Sequence, residues 1–442
     1  MKDVIRQLDG GLIMRHGHID DTERLVAFNG GIHGREDDVD RRTVGAWTRD
    51  LISGGHPTFK SEDFIIVEDP DKQKIISSLN LISQTWSYSG TPFKVGRVEL
   101  VGTLPEYRRK GLVRAQFEEI HRWSQARGEL VQAITGIPYY YRQFGYEMAL
   151  SLGGGRVGYL SDIPELAKDA DDPYKIRPAN ESDLPFISKM YDQDCGRSMV
   201  SCLWDEDMWR YELSEKNREN VNRKELMVIT GEQEKPVGFL AHSFTLWKPG
   251  IGLEAYILSP EVSWWEVTPS VMRYLGSKGK EYASEYRKPC PGFYFALGDD
   301  HPSYKVFAHR LPKKSPTYAY YMRVPDLVAF IKIIGPVLEK RLSEQIRQGY
   351  SGELRIGFYR SGILLKFLNG SLEQVETLTS AEDLDSVTAS FPGLTFLQLL
   401  FGYRSLDDLC QAFPDCWVNN DKARPLLLAL FPKQFSNVWP IS

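Results

Sequence analysis

The stretch VGRVELVGTLPEYRRKGLVRAQFEEIHRW, residues 95–123, decides how the rest of the chain is read. Its first nine residues carry the β-branched and apolar character of a strand. Leu112, Val113, Phe117, Ile120 and Trp123 then recur at helical spacing. Between them lies a basic, glycine-containing turn: Arg108, Arg109, Lys110, Gly111, Leu112, Val113, Arg114. A strand that feeds a helix through such a turn offers free backbone N–H groups and the positive end of the helix dipole, and both suit a pyrophosphate. The pattern R-x-x-G decides little alone, because it occurs at Arg42, Arg108, Arg142 and Arg273. Arg108 is set apart by the strand before it, the helix after it and the cations beside it. A solvated basic helix start has the same local sequence.

Upstream, LIMRHGHIDDTERLVAFN reads as a short strand, an Asp-Asp-Thr cap and a helix with apolar Leu25, Val26 and Phe28. DFIIVED and KQKIISSLNLISQTWSY form a hairpin pattern about the turn Asp69-Pro70-Asp71. Downstream, LVQAIT and YEMALSLGGG are strands separated by a short aromatic helix, IPYYYRQFG, which Gly145 ends. Several aromatics on one short helix usually mean packing, yet a tyrosine with its hydroxyl in a cleft can act as an acid. Polar, proline-bearing breaks at 161–175 and 310–326 divide the chain into blocks 1–165, 166–322 and 323–442. The second reopens with YKIRPANESDLPFISKMYD, again strand, cap and helix, which marks a duplication. The third, with an amphipathic helix, a hairpin pattern and apolar helices, is α+β. The fold class expected is therefore α/β, with a duplicated block followed by an α+β block.

The 442 residues leave ample room for a core, and 42% hydrophobic with 26% charged residues is ordinary globular usage. With 54 basic against 59 acidic side chains, the net charge of −5 provides no general field for nucleic acid or anionic lipid. Five scattered cysteines supply neither a disulfide framework nor zinc spacing, and the eight histidines show no ligand spacing, so no metal is expected. MKDVIRQLDGG lacks the apolar core of a signal peptide, and no apolar run approaches the roughly 20 residues that span a bilayer. The expectation is a cytoplasmic protein. Glu36, Asp37, Asp38 and Asp40 form an acidic loop that suits a cationic ligand, or a hydrated surface neutralised by Arg41 and Arg42.

Taken in order, strand, helix, hairpin, V-x-L-V-x-T-x-P-x-x-R-R-K-G-L, strand and Y-x-x-x-G-Y, the first block resembles the GNAT acyltransferase superfamily, which binds acetyl-CoA. The resemblance implies that Leu100, Val101, Gly102 and Thr103 offer backbone groups to the pantetheine arm. It also implies that the turn Arg108–Arg114 grips the pyrophosphate. Val113 stands where the superfamily usually has a small residue. One complete GNAT block, a second without the basic turn and a terminal block like sterol carrier proteins together resemble the Eis (enhanced intracellular survival) acetyltransferases. R-R-K-G-L-V-R and Tyr141–Tyr146 are close to that family's motifs. The likeness implies that Tyr141 is the general acid and that the carboxylate of Ser442 is the base, though VWPIS replaces the family's aromatic end. It places the acceptor near Glu36, Asp37 and Asp38, and implies amines of cationic small molecules such as polyamines and aminoglycosides, or lysine side chains. A homo-oligomer is implied, a hexamer among the options. Two other readings stay open: a CoA-sensing or apolar-ligand-binding protein built around Leu394, Phe396, Leu399, Leu400 and Phe401, and a transferase using another acyl donor.

Overall fold

The computed structural model describes residues 4–34 and 38–442. In chain order the first block supplies β1 (Val4–Leu8), β2 (Leu12–His16), α1 (Thr22–His33), α2 (Asp38–Ile52), β3 (Phe64–Asp69), β4 (Lys74–Tyr88), β5 (Thr91–Thr103), α3 (Leu112–Ala126), β6 (Val131–Ile134), β7 (Glu147–Leu152) and β8 (Gly155–Tyr159). The second supplies β9 (Lys175–Pro178), α4 (Leu184–Cys195), β10 (Val200–Cys202), α5 (Glu206–Arg210), β11 (Lys224–Thr230), β12 (Pro236–Leu246), β13 (Gly250–Leu258), α6 (Trp264–Tyr286), β14 (Gly292–Phe295), α7 (Pro302–Phe307), β15 (Lys313–Ser315) and β16 (Tyr318–Arg323). The third opens with α8 (Leu327–Ile333) and α9 (Gly335–Gln345) and continues with β17 (Gly352–Gly357), β18 (Gly362–Leu368), β19 (Ser371–Leu378), β20 (Ala389–Ser390) and β21 (Trp417–Val418).

Among the described residues these strands form three sheets. The first runs β1-β2-β3-β4-β5-β6-β16-β7 with β10 added to β4, the second β15-β8-β14-β13-β12-β11-β9, and the third β19-β18-β17-β20-β21. The α/β class with two related sheets and an α+β block is thus observed. Strands near the boundaries expected at 165 and 322 pair across the blocks. β8 joins the second sheet between β15 and β14, and β16 returns to the first between β6 and β7. Each exchange covers backbone groups that a sheet edge would leave unpaired. The local patterns around residues 155–159 and 318–323 give no hint of which sheet a strand joins.

The β4–β5 hairpin organises the first sheet. Ser89 and Gly90 at its tip both have positive φ, 46° and 89°, the geometry of a tight two-residue turn that follows the strand twist. On one face Leu79, Leu81 and Val98 pack against Phe117, Ile120 and Trp123 of α3. On the other, Ile82 and Leu100 meet Leu25, Phe28, Trp47 and Leu51 of α1 and α2. Each large side chain buried this way contributes about 1.5–3 kcal/mol. The hairpin tip carries the third block: Arg341 donates to Tyr88 Oη at 3.1 Å, to the Leu430 carbonyl at 2.8 Å and to Ser89 Oγ at 3.0 Å. Tyr88 in turn donates to the Leu400 carbonyl at 2.7 Å. Phe396, Leu399, Leu400 and Phe401 are buried in this packing, Phe401 against Tyr88 and Phe330.

The duplication is visible in one repeated contact. Arg15 donates through both terminal nitrogens to Asp21, at 2.8 Å each, and Arg177 does so to Asp183 at 2.7 and 2.8 Å. The same aspartates accept the backbone N–H of His18 and Asn180, tying strand to helix start in both blocks. Arg15 and Asp21 are essentially inaccessible, whereas the Arg177 side chain is 41% exposed. Asp21→Ala is therefore expected to destabilise by about 3–5 kcal/mol, with Glu68 keeping it near the lower end, and Asp183→Ala by about 1 kcal/mol or less. Urea unfolding of the two variants side by side checks the ranking.

Two buried histidines tie stability to pH. Burial, reinforced by the charges of Lys216 and Arg97, pushes His56 down to about 3, and burial beside Arg197 does the same to His301. Unfolded imidazoles titrate near 6.5. Between that value and about 3, unfolding takes up protons that the native state refuses. The contribution is complete above pH 6.5 and is lost as pH falls, at up to about 1.4 kcal/mol per pH unit for each ring. Denaturant midpoints at pH 7 and pH 5 measure it, and equal midpoints would contradict this account.

Candidate active site

The parallel ladder between β5 and β6 runs from Val95 opposite Val131 to Val98 opposite Ile134, where β6 ends. β5 continues through Glu99–Thr103 with no neighbour on that side among the described residues. Its pairing with β4 shifts register between Gly102 opposite Ser78 and Glu99 opposite Asn80. Leu100, with φ of 52°, lies in that bulge, which re-aims the strand at the place where the sheet parts. Val101, Gly102 and Thr103 border the opening, and Leu100 is buried in the core against α1 and α2.

Beyond a short turn at Pro105–Tyr107 the chain enters α3. Arg109 and Gly111 both have positive φ, 63° and 75°, and Gly111 caps the helix. A Cβ on Gly111 would meet no atom, so its backbone conformation, not space, calls for glycine there. The first amide of this region with a partner is Ala115, which donates to the Gly111 carbonyl at 3.0 Å. The amides of Arg109 through Arg114 make no hydrogen bond among the described residues. Six successive unsatisfied N–H groups at a helix start form an anion nest, and the dipole adds about half a positive charge. Lys110 Nζ stands 4.9 Å over the Tyr107 ring, and Arg114 reaches Gln143 at 3.0 Å while stacking on Phe144. Arg108, whose Nε donates to the Thr103 carbonyl at 3.4 Å, ties the turn to the strand. Val113, half-buried, turns toward the α3 core. Leu112 is buried in it.

Nest and strand opening share one cleft of about 720 Å³, whose walls include Ile32 and His33 of α1, Val101–Thr103, Arg108–Arg114, Tyr140, Tyr141 and Phe144. Tyr141 sits in the one-turn helix Tyr140–Phe144, which Gly145 ends at φ 85°. Its ring is clamped by Phe117, Tyr140, Tyr146 and Tyr321. Its hydroxyl makes no hydrogen bond among the described residues, and a Cβ on Gly136 would stand 3.5 Å from it. Burial, and then the negative charge of Glu99, hold the phenol well above its ordinary range, so it keeps its proton at neutral pH. The exchanged strand β16 fixes the loop beneath it: Tyr318 donates to the Gly136 carbonyl at 2.8 Å and Tyr321 to that of Ile137 at 3.0 Å.

Residues 34–149 match the family model of the acetyltransferase (GNAT) domain. That stretch is similar to an acetyltransferase (GNAT) domain. A comparison with curated protein sequences gives no significant match. Among solved structures, the chain is similar over 97% of both chains to a GCN5-related N-acetyltransferase from Kribbella flavida, at 15% identity and a TM-score of 0.64. It is similar to one from Anabaena variabilis at 13% identity, covering 95% of this chain and 96% of that one, with a TM-score of 0.61. Eis1 from Mycobacterium abscessus aligns at 13% identity over 96% of this chain and 99% of that one, with a TM-score of 0.58. Likeness at these identities is one of fold.

Around the GNAT domain's cleft, other residues fall where the sequence did not place them. The final segment runs buried between the blocks. Trp204 Nε1 donates to the Trp439 carbonyl at 2.8 Å, and Gln84 Nε2 and Arg97 Nη1 donate to that of Ile441 at 2.7 and 2.9 Å. Arg97 Nη1 also donates to Ser442 Oγ at 2.6 Å, and its Nη2 pairs with Glu99 at 2.7 Å. Ser442, Arg97 and Thr135 border a second cavity of about 330 Å³. Thr135 directly precedes the Gly136 whose Cβ would stand 3.5 Å from the Tyr141 hydroxyl, but the two cavities have no lining residue in common among the described residues. Asp38 does not join them: its side chain is 98% exposed, 3.9 Å from Arg41, in the first turn of α2, where a carboxylate complements the helix dipole. Glu36 and Asp37 lie outside the described residues. Arg97 and Glu99 escaped notice, although two charges at alternate positions of an otherwise apolar strand are the signal of a polar face turned to a site.

The second block repeats the splayed pair but not the nest. β13 and β14 run parallel from Gly250 opposite Gly292 to Leu253 opposite Phe295, and β13 then continues past Glu254 paired with β12 only. The approach to α6 carries Glu261 and Glu266 where the first block has cations. Asn437 and Trp439 of the final segment stand beside Glu254–Ile257. All five cysteines are free. Among the described residues no group of three or more His, Cys, Asp or Glu side chains is placed to hold a metal, and no helix is long and apolar enough to cross a membrane.

Proposed function

We propose that the protein is an acetyl-CoA-dependent N-acetyltransferase of the Eis type, with 1–165 as its catalytic GNAT block, 166–322 as a degenerate copy and 323–442 as a sterol-carrier-like block, strand exchange aside. The observation that carries the reading is the run of six free amides at Gly111, in one cleft with the opened strand and Tyr141. The amides and Arg109, Lys110 and Arg114 receive the pyrophosphate. The edge of β5 at Leu100–Thr103, which has no sheet neighbour on that side among the described residues, pairs with the amide-bearing arm. The thioester then lies between the β5 bulge and Tyr141. The acceptor enters through the cavity that Arg97, Thr135 and Ser442 border, as an amine of a small molecule or a lysine side chain.

At a lysine-like pKa near 10.4, about one amine in 2,500 is neutral at pH 7, so the nucleophile must lose a proton. Glu99, paired with Arg97, or the carboxylate of Ser442, whose Oγ accepts from Arg97, takes it. Tyr141 gives its proton to the departing thiolate. Such general acid and base assistance contributes about 10²–10⁴-fold, and juxtaposition of amine and thioester supplies much of the rest. The resemblance extends to a homo-oligomer.

Calorimetry with coenzyme A, followed by thiol release from acetyl-CoA with an amine panel, tests the proposal. Micromolar binding that weakens at least tenfold in Arg109→Glu, with thiol release that depends on amine, is expected. No heat from coenzyme A removes the enzymatic reading.

A further inference from the structure

The nest at Gly111 has no internal bonds to hold its shape. The amides of Arg109 through Arg114 are without partners among the described residues, and Arg109 sits in the left-handed region at φ 63°, a strained conformation for a residue with a side chain. Such a turn stays open to an anion only where its flanks are fixed. On the helix side Leu112 is buried in the α3 core. On the strand side Arg108 reaches the Thr103 carbonyl at 3.4 Å, a long tie. The firmer anchor there is Tyr107, which is 7% exposed and stands two positions before Arg109.

Tyr107 is held by its hydroxyl. Its Oη donates to Asp69 Oδ2 at 2.9 Å and accepts from Lys72 Nζ at 2.7 Å, and Lys72 Nζ also donates to Asp69 Oδ2 at 2.9 Å. The three groups close a ring of charge-assisted bonds. Lys72, bonded to Tyr107 and Asp69, is held above its ordinary range, and Asp69, bonded to Lys72 and Tyr107, below its own, so both are charged at neutral pH. They belong to the turn between β3 and β4, which is itself braced. Lys72 N–H donates to Asp69 Oδ1 at 3.3 Å, and Arg24 of α1 donates to the Gln73 carbonyl at 3.3 Å and to Glu68 at 3.0 Å. On the cleft side the Tyr107 ring carries Lys110, whose Nζ stands 4.9 Å from the ring centroid. Tyr107 and Lys110 line the cleft, and Asp69 and Lys72 do not.

We propose that Tyr107 is a positioning residue for the acyl donor: its hydroxyl, clamped by Asp69 and Lys72, fixes the strand side of the turn, and its ring aims the Lys110 ammonium at the donor's phosphates. The inference rests on the acetyl-transfer reading above. A receptor shaped before its ligand arrives spends less binding energy on ordering, so the clamp acts on donor affinity. Tyr141 is held by a separate set of rings, so the chemical step is left alone.

The test is calorimetry of the full-length protein with coenzyme A, joined to thiol release from acetyl-CoA with the best amine of the panel above. Tyr107→Phe keeps the ring and its contact with Lys110 and removes the hydroxyl alone. Kd for coenzyme A and KM for acetyl-CoA should both rise about tenfold, with kcat and the acceptor's KM within about twofold. Lys72→Met should do the same, and Lys72→Arg should recover most of the affinity, because a guanidinium can still bridge Asp69 and the hydroxyl. Lys74→Met removes an equal charge two positions away, from an exposed side chain that meets Glu106 at 3.4 Å, and should leave both constants within about twofold. Affinity for coenzyme A that stays within about twofold in Tyr107→Phe and Lys72→Met overturns the proposal. A loss in Lys74→Met equal to that in Lys72→Met also overturns it, since general charge and not the clamp then sets affinity. A fall in kcat with both constants unchanged does so too. Where Tyr107→Phe fails to melt cooperatively, Lys72→Met decides, its side chain being 64% exposed in the native protein. Absence of coenzyme A binding by the unaltered protein is a separate result, which fails the acetyl-transfer reading and this proposal with it.

Discussion

Tyr141→Phe is expected to lower kcat by about 10²–10⁴-fold while acetyl-CoA affinity stays within a factor of two. The two effects separate because the phenyl ring and the hydroxyl do different things. The ring fills a niche among Phe117, Tyr140, Tyr146 and Tyr321, and phenylalanine keeps that packing. The hydroxyl donates to nothing among the described residues and Tyr141 lines the cleft, so removing the hydroxyl strands no buried partner among them. The pyrophosphate nest lies on α3 and is untouched. What disappears is the proton for the leaving thiolate, whose pKa near the cysteine value of about 8.5 makes it a moderate leaving group. Because burial and Glu99 hold the phenol above its ordinary range, the wild-type enzyme should lose activity on the alkaline side only at strongly basic pH. Retained turnover in the variant, with an unaltered pH–rate profile, would remove Tyr141 from the chemistry.

The turn at Gly111 is legible in the sequence because its determinants are local. A glycine at φ 75°, cations within three residues of it, and a strand and helix on either side are all properties of one continuous stretch. The repeated cap is local too: Arg15 with Asp21 and Arg177 with Asp183 have the same spacing and the same bonds. The surroundings of Arg97 and Tyr141 are assembled from distant pieces and could not be read in this way. Arg97 meets Ser442 across 345 positions, and the loop under Tyr141 is held by Tyr318 and Tyr321, which arrive with a strand exchanged from the second block. A lysine such as Lys216 reads in sequence as a surface charge, and only the packing of Glu212, Tyr211 and the block interface makes it a buried one. What a carboxylate in the acidic loop does depends on what it faces, which the sequence does not give: Asp38 faces water, and Glu36 and Asp37 lie outside the described residues.

Arg97→Met should cost both stability and turnover, and the two losses have distinct origins. Methionine matches the length of the arginine stem, so the packing of β5 survives. Glu99 then sits 13% exposed with its cation gone, and stranding one member of a buried pair costs about 3–5 kcal/mol. The carbonyl of Ile441 keeps Gln84 Nε2, but Ser442 loses its anchor, and the end of the chain is no longer held against the cavity. Turnover should fall by at least about 10²-fold, the size of a lost general base. Arg97→Lys separates the contributions: it restores a charge for Glu99, and most of the stability with it, but one ammonium cannot span Glu99, Ile441 and Ser442 as the planar fork does. The lysine variant is therefore expected to melt near wild type and still turn over at least tenfold more slowly, with KM for acetyl-CoA unchanged because the nest around Gly111 makes no contact with Arg97. If thermal melts and steady-state rates instead fall in parallel through wild type, lysine and methionine, the arginine serves stability alone and the base lies elsewhere.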